Sequence, residues 1–238
     1  MIILAFDGTA KYASVAALSD NGVLASYHID NGLTQSELLL PMADDMLKSL
    51  KLSFDEVELF ACSAGPGSFT GVRIGVSLVK GLAFGRNIPC CAVSTLEALA
   101  ENLYGIRGII VPCMDARRSQ VYNAIFEYDG TEMKRLTEDR AISLDDLAEE
   151  LRSYSGKPIY LTGDGYYIAK RAMDTKGISV EETPPVLIPE NAASVGRVAH
   201  RMYCRGEYVT EAELAPVYLR LPQAERERLE RLGEAKNK

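Results

Sequence analysis

Asp7-Gly8-Thr9-Ala10-Lys11-Tyr12-Ala13-Ser14-Val15-Ala16-Ala17-Leu18-Ser19-Asp20-Asn21-Gly22 is the stretch that decides the fold. The apolar run Ile2-Ile3-Leu4-Ala5-Phe6 precedes it, so the chain opens as a strand ending on a carboxylate. Tyr12 to Leu18 reads as a second strand, and Asp20-Asn21-Gly22 as a hairpin turn, because Asn and Gly tolerate positive φ. Val23 to Ile29 is the returning strand. The plan recurs with identical spacing from Asp115 to Gly130: Ile109 to Asp115 ends on a carboxylate, Val121 to Phe126 follows, and Asp129-Gly130 turns the chain.

The repetition continues outward. A helix follows each hairpin, Ser36 to Leu50 and Leu144 to Leu151. The first has apolar residues at 39, 42, 43, 46, 47 and 50, and the second opens on Ser143, Asp145 and Asp146. Each half then runs an apolar strand into Gly-x-Gly, Gly65-Pro66-Gly67 and Gly163-Asp164-Gly165. Antiparallel strands leading into helix–strand–helix, twice over, specify an α/β chain with the duplicated ribonuclease-H-like, or actin-like ATPase (ASKHA), fold. Two domains should face a cleft, residues 1–104 and 105–221, joined across Asn102 to Gly108. The helix near 192–204 should either close the second half or pack back on the first. Residues 222–238 read as a charged, frayed tail.

Composition narrows the function. The 238 residues are 47% hydrophobic and 25% charged, ordinary for a globular protein with a real core. A net charge of -7 argues against autonomous nucleic-acid binding, so any RNA role needs a basic partner. The five cysteines form no CxxC pair and read as buried, reduced thiols of a cytoplasmic protein. No signal peptide or membrane span is expected.

The segment Gly65-Pro66-Gly67-Ser68-Phe69-Thr70-Gly71-Val72-Arg73-Ile74-Gly75 is the sharpest motif. Strand, glycine turn and helix suit either a phosphate or a close backbone. It lacks the Gly-Lys-Ser/Thr of a Walker loop, and Thr70 stands where a dinucleotide fingerprint needs glycine. Ser68 or Thr70 should cap a helix running from about Val72 to Phe84. Gly71 and Gly75, echoed by Gly81 and Gly85, leave a bare helix face. Glycine costs about 1 kcal/mol in a helix interior, so something must pack there, either from the core or from a partner. Asp7-Gly8-Thr9 fits the first nucleotide loop of such folds, whereas Asp115-Ala116-Arg117-Arg118 is less permissive. Both carboxylates are equally readable as hairpin-closing residues. Only His28 and His200 exist, so a metal site is poorly supplied, and neither Ser63 nor Ser68 has a nearby histidine.

The glycine segment resembles the signature of the bacterial TsaB family, also called YeaZ. Asp7-Gly8-Thr9, Ser36-Glu37-Leu38-Leu39-Leu40-Pro41, Val93-Ser94-Thr95-Leu96, Met114-Asp115-Ala116-Arg117 and Pro216-Val217-Tyr218-Leu219-Arg220 extend the resemblance over almost the whole chain. Gln35 departs from a histidine that many members carry. The resemblance implies a non-catalytic paralogue of TsaD, the transferase placing threonylcarbamoyl on adenosine 37 of tRNA. The implied role is scaffold and activator, with the ATPase TsaE as further partner, a homodimer when alone, and tRNA met only through the complex. It implies no intrinsic cofactor or metal, at most weak ATP or ADP binding near Asp7, Gly8, Thr9 and Asp115, and no membrane contact. By position, the implied interface comprises Leu39, Met42 and Met46 on the first helix, with Phe69, Thr70, Gly71, Val72, Arg73, Gly75, Val76 and Val79 behind the loop Gly65–Ser68. Phe69, Val72, Arg73, Val76 and Leu39 are expected to be exposed. Charged replacements at Gly71 or Gly75 are expected to abolish binding while the chain stays folded. The competing readings are a small-molecule kinase of the same fold, with Gly163-Asp164-Gly165 as its only other phosphate loop, and a metal-dependent glycoprotease-like hydrolase.

Overall fold

The computed structural model describes residues 1–220; the tail expected from 222 lies outside the described residues. The first half comprises β1 (Ile2–Asp7), β2 (Ala13–Ser19), β3 (Gly22–Ile29), α1 (Gln35–Ser49), β4 (Leu59–Gly65), α2 (Phe69–Ala83), β5 (Cys90–Ser94) and α3 (Thr95–Glu101). Its sheet runs β3-β2-β1-β4-β5, antiparallel on one side of β1 and parallel on the other. Alternate residues of β1 serve both faces: Leu4 and Phe6 meet α1 and α2, whereas Ile3 and Ala5 face the opposite layer. A strand buried on both faces must be apolar throughout, as this one is until Asp7. Thr34 and Glu37 start α1 with a reciprocal capping box.

The second half repeats the plan with β6 (Gly108–Asp115), β7 (Gln120–Asn123), β8 (Phe126–Tyr128), β9 (Met133–Arg135), β10 (Arg140–Ser143), α4 (Leu144–Leu151), β11 (Ile159–Thr162) and α5 (Tyr166–Thr175). The expected single strand from Val121 to Phe126 is broken at Ala124 and Ile125. Its register with β6 is continuous, since Cys113 faces Asn123 and Ile110 faces Phe126. The break arises at Pro112, which has no N–H for the ladder. Buried Asn123 fills in by donating its side-chain amide to the Pro112 and Ala124 carbonyls. The returning strand breaks at the same level: Leu136 to Asp139 bulge out between β9 and β10 opposite Ala124 and Ile125. A fifth strand is reduced to one parallel bridge, Tyr160 to Glu181.

The last helix, α6 (Ala192–Cys204), packs back on the first sheet. Gly196 lets it approach, because a Cβ there would lie 2.2 Å from Leu18 Cδ1. Beside it, α3 turns Leu96 and Leu99 toward the second sheet, and Leu103, just after the helix, joins them. The molecule is therefore layered: α1 and α2, first sheet, α6 and α3, second sheet, α4 and α5. Buried Glu101 joins the middle helices through Arg197 (3.0 Å) and Arg201 (2.6 Å). The crossing at Asn102 is pinned rather than loose, since its amide donates to Leu187 and Pro189 carbonyls.

Candidate functional site

Two places could carry function, the cleft between the halves and the outer face of α2. The cleft has a volume of about 600 Å³ and is lined from both halves, by Thr9 to Lys11, Pro66 to Phe69, Met114 to Arg117, Asp164 and Val217 to Arg220. Its volume suits a nucleotide. Its loops, however, are bonded to one another.

Asp7 is buried at the end of β1. Its carboxylate accepts from the Thr9 amide (2.9 Å) and hydroxyl (2.7 Å), and from Ser63 Oγ (2.5 Å). Burial pushes its pKa up, while those hydrogen bonds oppose the shift. The Thr9 carbonyl in turn accepts from the Ser68 amide at 2.7 Å. Asp115 repeats the pattern, accepting from the Arg117 amide at 2.7 Å. The Asp115 amide donates to Asp164 Oδ1 (2.9 Å), and the Asp164 amide to Glu190 Oε1 (3.2 Å). Glu190 is buried with its other oxygen unpartnered. Burial, with Asp164 and Asp7 nearby, holds its carboxyl well above the usual range. Both terminal aspartates thus close their own turns.

Three of the four glycines of the signature answer a neighbouring backbone, and the fourth, Gly75, faces the Cys62 side chain instead. A Cβ on Gly65 would lie 2.3 Å from the Val217 carbonyl oxygen, on Gly67 2.7 Å from that of Thr9, and on Gly71 1.9 Å from that of Gly8. Gly65 also needs its positive φ of 120°. Two loops and the C-terminal segment therefore meet backbone to backbone. Ser68 is the cap, accepting from the Gly71 amide at 3.3 Å, and α2 starts at Phe69, earlier than the expected Val72. Gln35 ties α1 to the first loop by donating to the Ala10 carbonyl at 2.8 Å.

The expected exposed stripe is corrected by the packing. Leu39, Met42, Met46, Val72, Val76 and Val79 form core between the helices and the first sheet, and Gly71 and Gly75 are buried. The apolar period belongs to the inner face because that face meets Phe6, Phe60 and Cys62. Charged side chains at Gly71 or Gly75 would therefore disrupt the fold itself. Phe69 is half-buried; Thr70 and Arg73 are exposed. The outer face runs from Arg73, which the sequence reading named, through Ser77 and Gly81, which it did not place in the interface, to Phe84, which is 78% exposed; Ile74 and Leu78 lie half-buried along its edge. Its signal was the offset of one residue from the valine stripe. A Cβ on Gly81 would meet nothing within 4 Å, so this glycine is bare toward the outside.

Among the described residues no group of three or more His, Cys, Asp or Glu could hold a metal ion. His28 stacks on Tyr12, and His200 lies 3.4 Å from Asp20. Cys62, Cys90, Cys91 and Cys113 are buried and only Cys204 is exposed; burial pushes the Cys113 thiol up to about 12. No helix of the described residues is long and apolar enough to cross a membrane.

Residues 34–225 match the family model described as TsaD: tRNA N6-adenosine threonylcarbamoyltransferase. The chain is 31% identical to the tRNA threonylcarbamoyladenosine biosynthesis protein TsaB of Bacillus subtilis, over 94% of this chain and 96% of that one. It is 30% identical to the protein of the same name from Escherichia coli, over 92% and 95%. The solved structure of YeaZ from Pseudomonas aeruginosa superposes with a TM-score of 0.76 and 28% identity, covering 92% of this chain and 99% of that one.

Proposed function

The chain belongs to the TsaB (YeaZ) family, and from that premise we propose that it serves threonylcarbamoyladenosine formation on tRNA as a non-catalytic scaffold. Its partner is a TsaD-type transferase, joined by the ATPase TsaE, and tRNA is met through that assembly. The observation that carries this reading is the state of the cleft loops. The amides of Thr9, Ser68, Gly71, Arg117, Asp164 and Gly165, which would grip a phosphate in a nucleotide-using relative of this fold, are engaged within the chain. Nucleotide binding by the chain alone is therefore weak, and no intrinsic cofactor is required.

The docking surface is the outer face of α2, from Arg73 through Ser77 to Gly81. The bare glycine allows another helix to approach closely, and Ile74 and Leu78 add an apolar flank. The same face, being self-compatible, forms a homodimer when the partner is absent. Reconstitution tests the proposal. TsaD- and TsaE-type subunits, substrate tRNA, ATP and threonylcarbamoyl donor precursors are assayed with and without this chain. Modification should require the chain, while the chain alone with ATP and magnesium shows no turnover. Equal modification without it, or turnover by it alone, would overturn the scaffold role.

A further inference from the structure

Pro216-Val217-Tyr218-Leu219-Arg220 touches both halves of the molecule. On the first, the Val217 amide donates to the Ala64 carbonyl at 2.7 Å, in the space that Gly65 leaves open. The Tyr218 ring lies on Phe69 with centroids 4.8 Å apart. Arg73 covers Phe69 at 3.9 Å and donates from Nε to the Tyr218 hydroxyl at 2.8 Å. Upstream, Lys80 donates to the Ala212 and Leu214 carbonyls, so the segment is anchored along α2.

On the second half one side chain makes the grip. Arg220 Nη1 donates to the Ala116 carbonyl at 3.0 Å, Nη2 donates to Gln120 Oε1, and the guanidinium lies over Tyr122. The two hydrogen bonds span the ends of an unusual turn. Arg117, Arg118 and Ser119 are all left-handed, with φ of 63°, 55° and 57°. Three successive side-chain-bearing residues in that region persist only where neighbours over-determine them. The Ala116 amide to Gln120 carbonyl bond and the Asp115–Arg117 pair hold the turn from within, and Arg220 holds it from across the cleft.

We propose that Arg220 is the latch of an interlobe clasp that fixes the width of the cleft and the left-handed turn together. Engaged, it keeps the two halves at one separation. Released, it lets them pivot about the pinned crossing at Asn102 and the second crossing, where the chain passes from Ile188 in the second-half core to Ala192 in that of the first, and the turn relaxes at the same time. The first-half anchors do not depend on Arg220, so the strap stays seated when the latch is removed.

Spin labels at Ser49→Cys and Ser155→Cys, in a Cys204→Ser background, report the separation by pulsed electron resonance. Arg220→Ala should broaden the distance distribution at least twofold. It should also speed amide hydrogen exchange across residues 116–120 at least tenfold, with exchange in β1 and β4 unchanged. An unchanged distribution with unchanged exchange would overturn the clasp, as would acceleration shared equally by β1 and β4. Should Arg220→Ala fail to fold, Arg220→Lys, which keeps the charge but loses the two-pronged grip, carries the same readouts. Parent-like values in that variant would equally overturn the proposal.

Discussion

Glu190 shows how a single residue can set the response of this fold to pH. Its carboxyl is buried beside Asp164 and Asp7, and its pKa stands well above the ordinary 4.5. Above pH 4.5 the unfolded chain releases this proton while the folded chain retains it, so stability falls as pH rises toward the folded value. Glu190→Gln removes that dependence. Urea midpoints should show the variant gaining on the parent between pH 4.5 and 8, and a constant difference would contradict the assignment. Asp129 has the opposite sign: amides of Thr131 and Glu132, with Lys134, hold it down to about 2. Its contribution is present above the ordinary 3.8 and fades as pH falls through about 2, so Asp129→Asn should cost stability at neutral pH and nothing in strong acid. Sequence reasoning found Asp7 and Asp115 because each ends an apolar strand. It passed over Glu190, which follows Pro189 in an irregular segment where no period marks a residue as buried.

At the scale of one element, α2 separates what the sequence showed from what only packing decides. The helix and its glycine spacing were legible from residue types alone, with the cap narrowed to Ser68 or Thr70. Which face is inner was not, because Val72, Val76 and Val79 serve a core stripe and a docking stripe equally well until the sheet beneath is placed. Glycines four apart also looked equivalent, and they are not. Gly71→Ala puts a Cβ against the Gly8 carbonyl, an overpacking that should cost about 1–3 kcal/mol. Gly81→Ala enters open space and should gain up to about 1 kcal/mol of helix propensity. Chemical denaturation of the two variants checks both signs, and equal effects would contradict the assignment of inner and outer faces.

The whole molecule carries its history openly: the spacing from Asp7 to Gly22, repeated at Asp115 to Gly130, was enough to give two sheets of one topology. The break at Pro112 had a local sign, a proline inside an apolar strand, that was passed over, whereas the reduced fifth strand and the half on which α6 packs depend on long-range packing. The loops lining the cleft that the duplication creates spend their amides on one another, and the proposed docking role falls to the outer face of α2 in the first half. Isothermal titration of this chain against its TsaD-type subunit tests that conclusion most directly. Ser77→Arg and Gly81→Arg change only exposed positions of α2, so the variants stay folded by circular dichroism. The parent should bind and either variant should lose at least a hundredfold in affinity, whereas parent-like binding by both folded variants would contradict the docking role of this face.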